Sequence, residues 1–407
     1  MQHGGVNHHF AQNLPQLVDL SKVTAIQSDD ILQRYNKSLQ RYKMAITLKD
    51  IVKKTGFSIS TVSHVLNGRP GFSPDTQQRI QQAARELGYL PNHLSRALAG
   101  GKSMSIGLMG ETLKTPIRLL RMRQIETLAR ADQYHIYLVA NEGMLSEPDL
   151  LKTVDDLLAR RVDGLIICDP NQLPQPVMKR LMDWDKPVVF VDHVPDEGKF
   201  GVHVDRTAAL HEAADHLREL GHRDVMYLGS RFDQLVPELK LGRYRQELKL
   251  MGMQLVEPPQ WYLEATGHTD DMAEAAYELI TQMLKQTVPS AILCISDETA
   301  IGAIHAIKHA GLSVPGDVSV IGFDDLPTAR HFDPALTTIS QPMTQAGKAA
   351  YQLLSAAFDK PDMNREVKEL ACKFIPRNST GPARENAPDA QTMLNNLAQI
   401  KPFKVNA

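Results

Sequence analysis

Between residues 47 and 88 three short amphipathic stretches follow one another, each with its own start and stop signals. Thr47 precedes the first, and Asp50, three positions on, suits the positive end of a helix; Ile51 and Val52 are its apolar residues and Gly56 closes it. Ser58 caps a second stretch, in which Val62, Val65 and Leu66 recur at helical spacing before Gly68. Its opposite face carries Ile59, Ser60, Ser63, His64 and Asn67. Ser73 and Pro74 open a third, with Ile80, Ala83, Ala84 and Leu87 as the inner stripe and Gly88 as the stop. Two helices joined by a short Gly-containing turn and closed by a third form a helix-turn-helix unit.

That unit uses a small part of the 407 residues, a length that implies two or three domains. No apolar run approaches the ~20 residues that span a bilayer, so no membrane partner is expected. The first residues show no basic start followed by an apolar stretch, so a cytoplasmic location is expected. Cys168, Cys294 and Cys372 lie far apart and make no metal spacing, which reads as buried thiols in a reducing compartment. Charge is unevenly distributed. Residues 44–103 hold eight Lys and Arg against three acidic residues; +5 there within a chain of −2 leaves −7 elsewhere. A basic head on an acidic body suits contact with phosphates at one end only.

Three words in the head, Leu48-Lys49-Asp50-Ile51-Val52, Ser60-Thr61-Val62-Ser63-His64-Val65-Leu66-Asn67-Gly68 and Ala84-Arg85-Glu86-Leu87-Gly88-Tyr89-Leu90-Pro91-Asn92, resemble the DNA-binding head of the lactose-repressor/galactose-repressor (LacI/GalR) family of bacterial transcription factors. The resemblance runs on to about Gly381. It implies a head at 44–90 whose second helix reads base edges in the major groove. In that pattern Ile59, Ser60 and His64 carry sequence choice, while Ser58, Thr61, Ser63 and Asn67 hold phosphates and register. Ile59 suits a thymine methyl. The family usually has Arg where this chain has His64; Arg grips guanine through two donors and His offers one, so an altered half-site is expected. The alternative for His64 is a solvated residue on an exposed face. Residues 91–103 resemble the family's hinge, about two helical turns that are marginal alone. Asn92 and Ser95 are expected on DNA there, and Leu98 to wedge into the minor groove. A plain linker is the alternative.

Residues 104–381 alternate strand and helix. Strands are expected at 105–109, 135–139, 164–167, 188–191, 225–228, 291–295 and 318–322, and helices at 118–131, 150–160, 207–220, 243–251, 272–285 and 298–310. Short apolar strands between amphipathic helices mean parallel sheets covered on both faces. The words Val162-Asp163-Gly164-Leu165-Ile166-Ile167, Gly221-His222-Arg223-Asp224-Val225 and Val314-Pro315-Gly316-Asp317-Val318 resemble the periplasmic-binding-protein-like body of the same family. The fold class expected is therefore an all-α helix-turn-helix domain joined by a hinge helix to an α/β body of two parallel-sheet lobes. The chain should cross between lobes near His203, Leu336 and Phe374.

Ligands of open α/β sheets sit at the carboxyl ends of strands, here the interlobe cleft. By position the resemblance places residues 110–115, Asn141, Asp192, Lys240, Asp297 and Asp324 there. The expected effector is a small carbohydrate-like molecule. Where the family often has an aromatic to pack on a sugar ring, this chain has Glu111-Thr112-Leu113-Lys114-Thr115. With Lys114, Arg118, Arg121 and Arg123 nearby, an acidic or phosphorylated sugar derivative is a second expectation; a solvated helix face is the alternative for those charges. Asp297 is expected to accept from a ligand hydroxyl or amine, or else to cap the next helix.

Residues 1–43 lie outside the resemblance and read as a disordered extension or as preceding a true start at Met44. In the 382–407 tail, Met393, Leu397 and Ile400 repeat at helical spacing, which reads as a frayed end or as an assembly helix that would give a tetramer. The resemblance implies a homodimeric repressor on palindromic double-stranded operator DNA, with no cofactor, no metal and no catalysis. A solute-binding module lacks such a head, and an enzyme would need a phosphate loop, nucleophile elbow or ligand cluster that is not found.

Overall fold

The computed structural model describes residues 46–66, 69–89, 102–111, 114–140, 146–168, 173–192, 200–229, 236–257, 272–360 and 364–398. The chain divides into two compact units, residues 1–96 and 97–407. In the first, α1 (Leu48–Thr55), α2 (Ile59–Leu66) and α3 (Pro74–Leu87) start and stop as the caps dictate. Asp50 accepts from the Thr47 N–H at 2.9 Å and from its hydroxyl at 2.7 Å. Ser58 Oγ accepts from the Thr61 N–H at 3.1 Å, and Ser73 Oγ from that of Thr76 at 3.3 Å. Ile51, Val62, Val65, Ile80, Ala83 and Ala84 form the core of this unit. Gly68, expected to end α2, lies outside the described residues.

The second unit holds two parallel sheets. The first lobe contains β1 (Ser105–Glu111), β2 (His135–Ala140), β3 (Leu165–Cys168), β4 (Val188–Asp192), β5 (Phe200–Asp205) and β11 (Glu366–Ala371), in the order β11-β5-β4-β3-β1-β2. Helices α4 (Pro116–Ala131) and α11 (Met343–Asp359) pack on one face; α5 (Glu147–Ala159) and α6 (Gln175–Met182) pack on the other. The second lobe contains β6 (Asp224–Leu228), β7 (Gln254–Val256), β8 (Ala291–Cys294) and β9 (Ser319–Ile321), ordered β7-β6-β8-β9. It lies between α7 (Thr207–Glu219) with α8 (Val236–Leu250) and α9 (Met272–Met283) with α10 (Asp297–His309). β3, β4 and β8 are buried along their whole length, as strands covered on both faces must be. β10 (Thr338–Ser340) and β12 (Lys373–Ile375) pair antiparallel where the chain passes between lobes, and the third passage follows β5.

Periodicity alone missed β5, β7, β10, β11, β12, α6 and α11. β11 is an edge strand of alternating charge, Glu-Val-Lys-Glu-Leu-Ala, half-buried where it is covered at all. It becomes a strand through parallel pairing with β5. The described part of the tail is ordered and not frayed. Residues Ala390–Leu397 form α12, capped by Asp389, whose Oδ1 accepts from the Thr392 N–H at 2.8 Å. Met393 and Leu397 are buried in the core of their own lobe, so these two residues of the repeat pack within the chain. Ile400 lies outside the described residues, as do residues 1–45.

The Gly221-His222-Arg223-Asp224-Val225 word has a structural role. His222 is buried between Ser290 Oγ, 3.0 Å from Nδ1, and the Gly381 carbonyl, 3.1 Å from Nε2. It thus ties the loop before β6 to the residue preceding β8 and to the segment that passes the start of β9. Burial holds its pKa below the ordinary histidine value. The stability it contributes is present above the unfolded value of about 6.5 and is lost as pH falls through the lower folded value. His222→Gln should therefore flatten the fall in melting temperature on acidification from neutral pH; an unchanged slope would refute this.

Candidate functional sites

On the first unit, capping leaves one side of α2 outside the core. Ser58, Ile59 and Ser60 are exposed, and Thr61, Ser63 and His64 half-buried. Ser58 Oγ lies 2.8 Å from both Ser60 Oγ and Thr61 Oγ1, so three hydroxyls sit as one cluster at the helix N-terminus. That end carries the positive pole of the helix and favours anions. Ile59 is 49 % exposed beside it, an apolar side chain with nothing of its own unit over it. One turn on, the His64 ring lies 6.2 Å from that of Phe72, which limits its swing. A short helix with hydroxyls, one apolar tip and one imidazole on its outer face can enter a major groove and meet phosphates and base edges. Asn67, Asn92, Ser95 and Leu98 lie outside the described residues.

In the second unit, polar side chains gather where β4 and β9 end. Asp192, Asp324 and Asp325 all adopt left-handed backbone, with φ of +81°, +128° and +58°. Such conformations cost about 1–3 kcal/mol each and cluster at functional sites. Asp192 receives the Arg206 guanidinium, whose Nη2 donates to Oδ2 at 2.9 Å. The same nitrogen donates to Gln341 Oε1 at 2.9 Å, and Gln341 Nε2 donates to Asp324 Oδ1 at 2.7 Å. Asp325 pairs with Arg377, 2.5 Å away, which also donates to the Leu336 carbonyl. The sequence pattern did not single out Arg206, Gln341 or Arg377. Their signal was position alone: each lies near an expected lobe crossing.

Asp297 does not cap the next helix, the alternative expected for it. Ser296 caps α10, accepting from the Thr299 N–H. Its side chain is fully enclosed. Oδ2 accepts from the Leu326 N–H at 2.7 Å and Oδ1 from the Thr338 hydroxyl at 2.5 Å. Burial pushes its carboxyl up, against the lowering pull of Thr338 and Leu326. The carboxylate thus pins the β9–β10 connection to α10. Leu326 in turn packs with Ile117 and Met343, an apolar contact reaching the other lobe. Gly322 leaves the room: a Cβ there would lie 2.4 Å from Asp297 Oδ1 and 2.9 Å from Leu336 Cδ2. Gly322→Ala should cost about 1–3 kcal/mol by overpacking, read as a lowered urea midpoint with an unchanged slope. An unaffected midpoint would mean that the carboxylate moves aside freely.

Arg121 and Arg123 differ in burial. Arg121 is 1 % exposed on α4, its carbonyl against Gly347 of α11, whereas Arg123 is exposed. Asn141 and the side chain of Lys240 lie outside the described residues. Among the described residues no group of three or more His, Cys, Asp or Glu is arranged to hold a metal, and no helix is long and apolar enough to cross a membrane.

Comparison with known proteins agrees with this geometry. Residues 47–92 match the family "Bacterial regulatory proteins, lacI family", and residues 214–380 match a "Periplasmic binding protein-like domain". The "HTH-type transcriptional repressor PurR" of Mannheimia succiniciproducens is 30 % identical over 338 residues, spanning 82 % of this chain and 98 % of that protein. "Catabolite control protein A" of Priestia megaterium is 27 % identical over 339 residues, spanning 83 % of this chain and all of that one. The crystal structure of the lac repressor dimer bound to operator and the anti-inducer ONPF superposes with a TM-score of 0.70 at 25 % identity, over 83 % of this chain and all of that chain.

Proposed function

From the premise that the chain belongs to the LacI family of bacterial regulatory proteins, we propose that it binds a palindromic operator as a homodimer and answers to a small carbohydrate-like effector. It is a DNA-binding transcriptional repressor and not an enzyme, as its relatives are. The observation that carries the proposal is the outer face of α2: three bonded hydroxyls at a positive helix end, with Ile59 and His64 beside them. Ser58, Thr61, Ser63 and Asn67 hold phosphates in this reading, while Ile59, Ser60 and His64 choose bases. Asn92, Ser95 and Leu98 follow in the hinge at 91–103, and the body occupies 104–381. The solved lac repressor is a dimer on its operator, which supports the symmetric arrangement. A twofold dimer presents its reading helices about one DNA turn apart, roughly 34–36 Å. The site of action is the cytoplasm.

The effector belongs between the lobes, and by the family's pattern its contacts are Asn141, Asp192, Lys240, Asp297 and Asp324. Carboxylates accept hydrogen bonds from hydroxyls, which favours a hydroxyl-rich ligand.

The test is selection of random duplexes by the full chain in modest salt. A palindromic site should emerge, and His64→Arg should change the preferred base at one position per half-site. Identical sites for both proteins would remove His64 from base choice. No preference over bulk genomic competitor would overturn the regulator reading.

A further inference from the structure

Asp192 closes β4 in the first lobe and Asp324 follows β9 in the second. Between them stand two residues of the crossing segments, Arg206 after β5 and Gln341 after β10. The contacts form an unbroken series: Asp192 to Arg206 at 2.9 Å, Arg206 to Gln341 at 2.9 Å, and Gln341 to Asp324 at 2.7 Å. Arg206 is anchored further by donation from Nη1 to the Val204 carbonyl at 3.0 Å. We propose that Arg206 and Gln341 form a latch between the lobes, through which occupancy of the cleft changes their separation and so the grip on DNA. This rests on the cleft being the effector site.

Three features favour a latch over a static brace. Arg206 Nη2 is shared between Asp192 and Gln341, so loss of either partner loosens the other link. The Arg206 and Asp192 side chains are 16 % and 8 % exposed, shielded enough to be strong yet open to a ligand at the strand ends. Both aspartates are held in left-handed backbone, which aims them at the crossing segments. A ligand hydroxyl or amine that takes an oxygen of Asp192 or Asp324 competes with the latch itself. The effector then binds the unlatched form more tightly, which is the differential affinity any switch needs. The apolar contact of Ile117, Leu326 and Met343 also ties the lobes and remains when the latch opens.

The experiment needs no effector. Spin labels are placed at Lys179→Cys on α6 and Lys285→Cys just after α9, both exposed, while the three native cysteines are buried. Labelled full-length chain is diluted with unlabelled chain, and the distance distribution is read by pulsed electron resonance. Arg206→Gln and Gln341→Leu should each lengthen or broaden it with no small molecule added, and the double variant should go no further than either. On the duplex selected by the wild-type chain, each should change affinity roughly five-fold or more, the low end of allosteric coupling. A wild-type distribution in either single variant, or additive shifts in the double, overturns the latch. Shifted distances with unchanged duplex affinity overturn its coupling to DNA. Should Arg206→Gln not fold, Arg206→Lys and Gln341→Leu carry the same test. A wild-type chain without duplex preference would sink the regulator reading instead, and the label distances would still judge the latch.

Discussion

Asp297→Ala should unfold the body more readily, by about 3–5 kcal/mol, before any question of effector response arises. The substitution removes a fully enclosed carboxylate and leaves two donors behind, the Leu326 N–H and the Thr338 hydroxyl. Each orphaned buried donor costs about 1–3 kcal/mol, and the vacated volume adds to it. Leu326 then loses its tether, and with it the contact to Ile117 and Met343. The measurement is chemical unfolding of the full chain followed by far-UV circular dichroism. A pH series adds a second signature. Burial raises the Asp297 pKa above its unfolded value of about 3.9, so the folded protein holds that proton more tightly. The carboxyl's contribution is greatest below that value and declines as pH rises through the folded one; the Ala variant lacks this component. Wild-type stability with a lost effector response would instead return Asp297 to the role of a ligand contact.

Ile51→Ala should abolish specific DNA binding while leaving the body folded. Ile51 is fully buried in a core of six residues. Truncation of a buried isoleucine to alanine costs about 2–5 kcal/mol. A head of about 45 residues, at ~0.05–0.15 kcal/mol per residue, holds only about 2–7 kcal/mol, so one such cavity removes most of it. A gel-shift titration on the selected duplex should show no specific complex, and the thermal transition of residues 97–407 should be unmoved. Ile59→Ala is the contrast: Ile59 is exposed, so that variant should stay folded and lose base preference alone. Retained specific binding by Ile51→Ala would mean that DNA or the rest of the chain holds the head together.

The sequence by itself determined the head almost completely. Thr47, Gly56, Ser58, Ser73 and Gly88 act on neighbours three or four residues away, so helix limits, inner stripe and outer face were legible without tertiary context. It also determined the parallel-sheet class, because β3, β4 and β8 are short continuous apolar runs that only double-sided burial explains. Tertiary structure decided what depends on distant partners. β11 is a strand because β5 lies beside it, and α12 is ordered because Met393 and Leu397 fill a gap in their own lobe. Arg121, which resembles a solvated helix charge, is buried because α11, more than two hundred residues later, packs over α4. Asp297 could be placed at a strand end from sequence, but which donors it satisfies depends on Leu326 and Thr338 being folded back onto it. Local signals travel one helical turn; hydrogen bonds such as Arg206 to Gln341 join residues that only the closed fold brings within 3 Å.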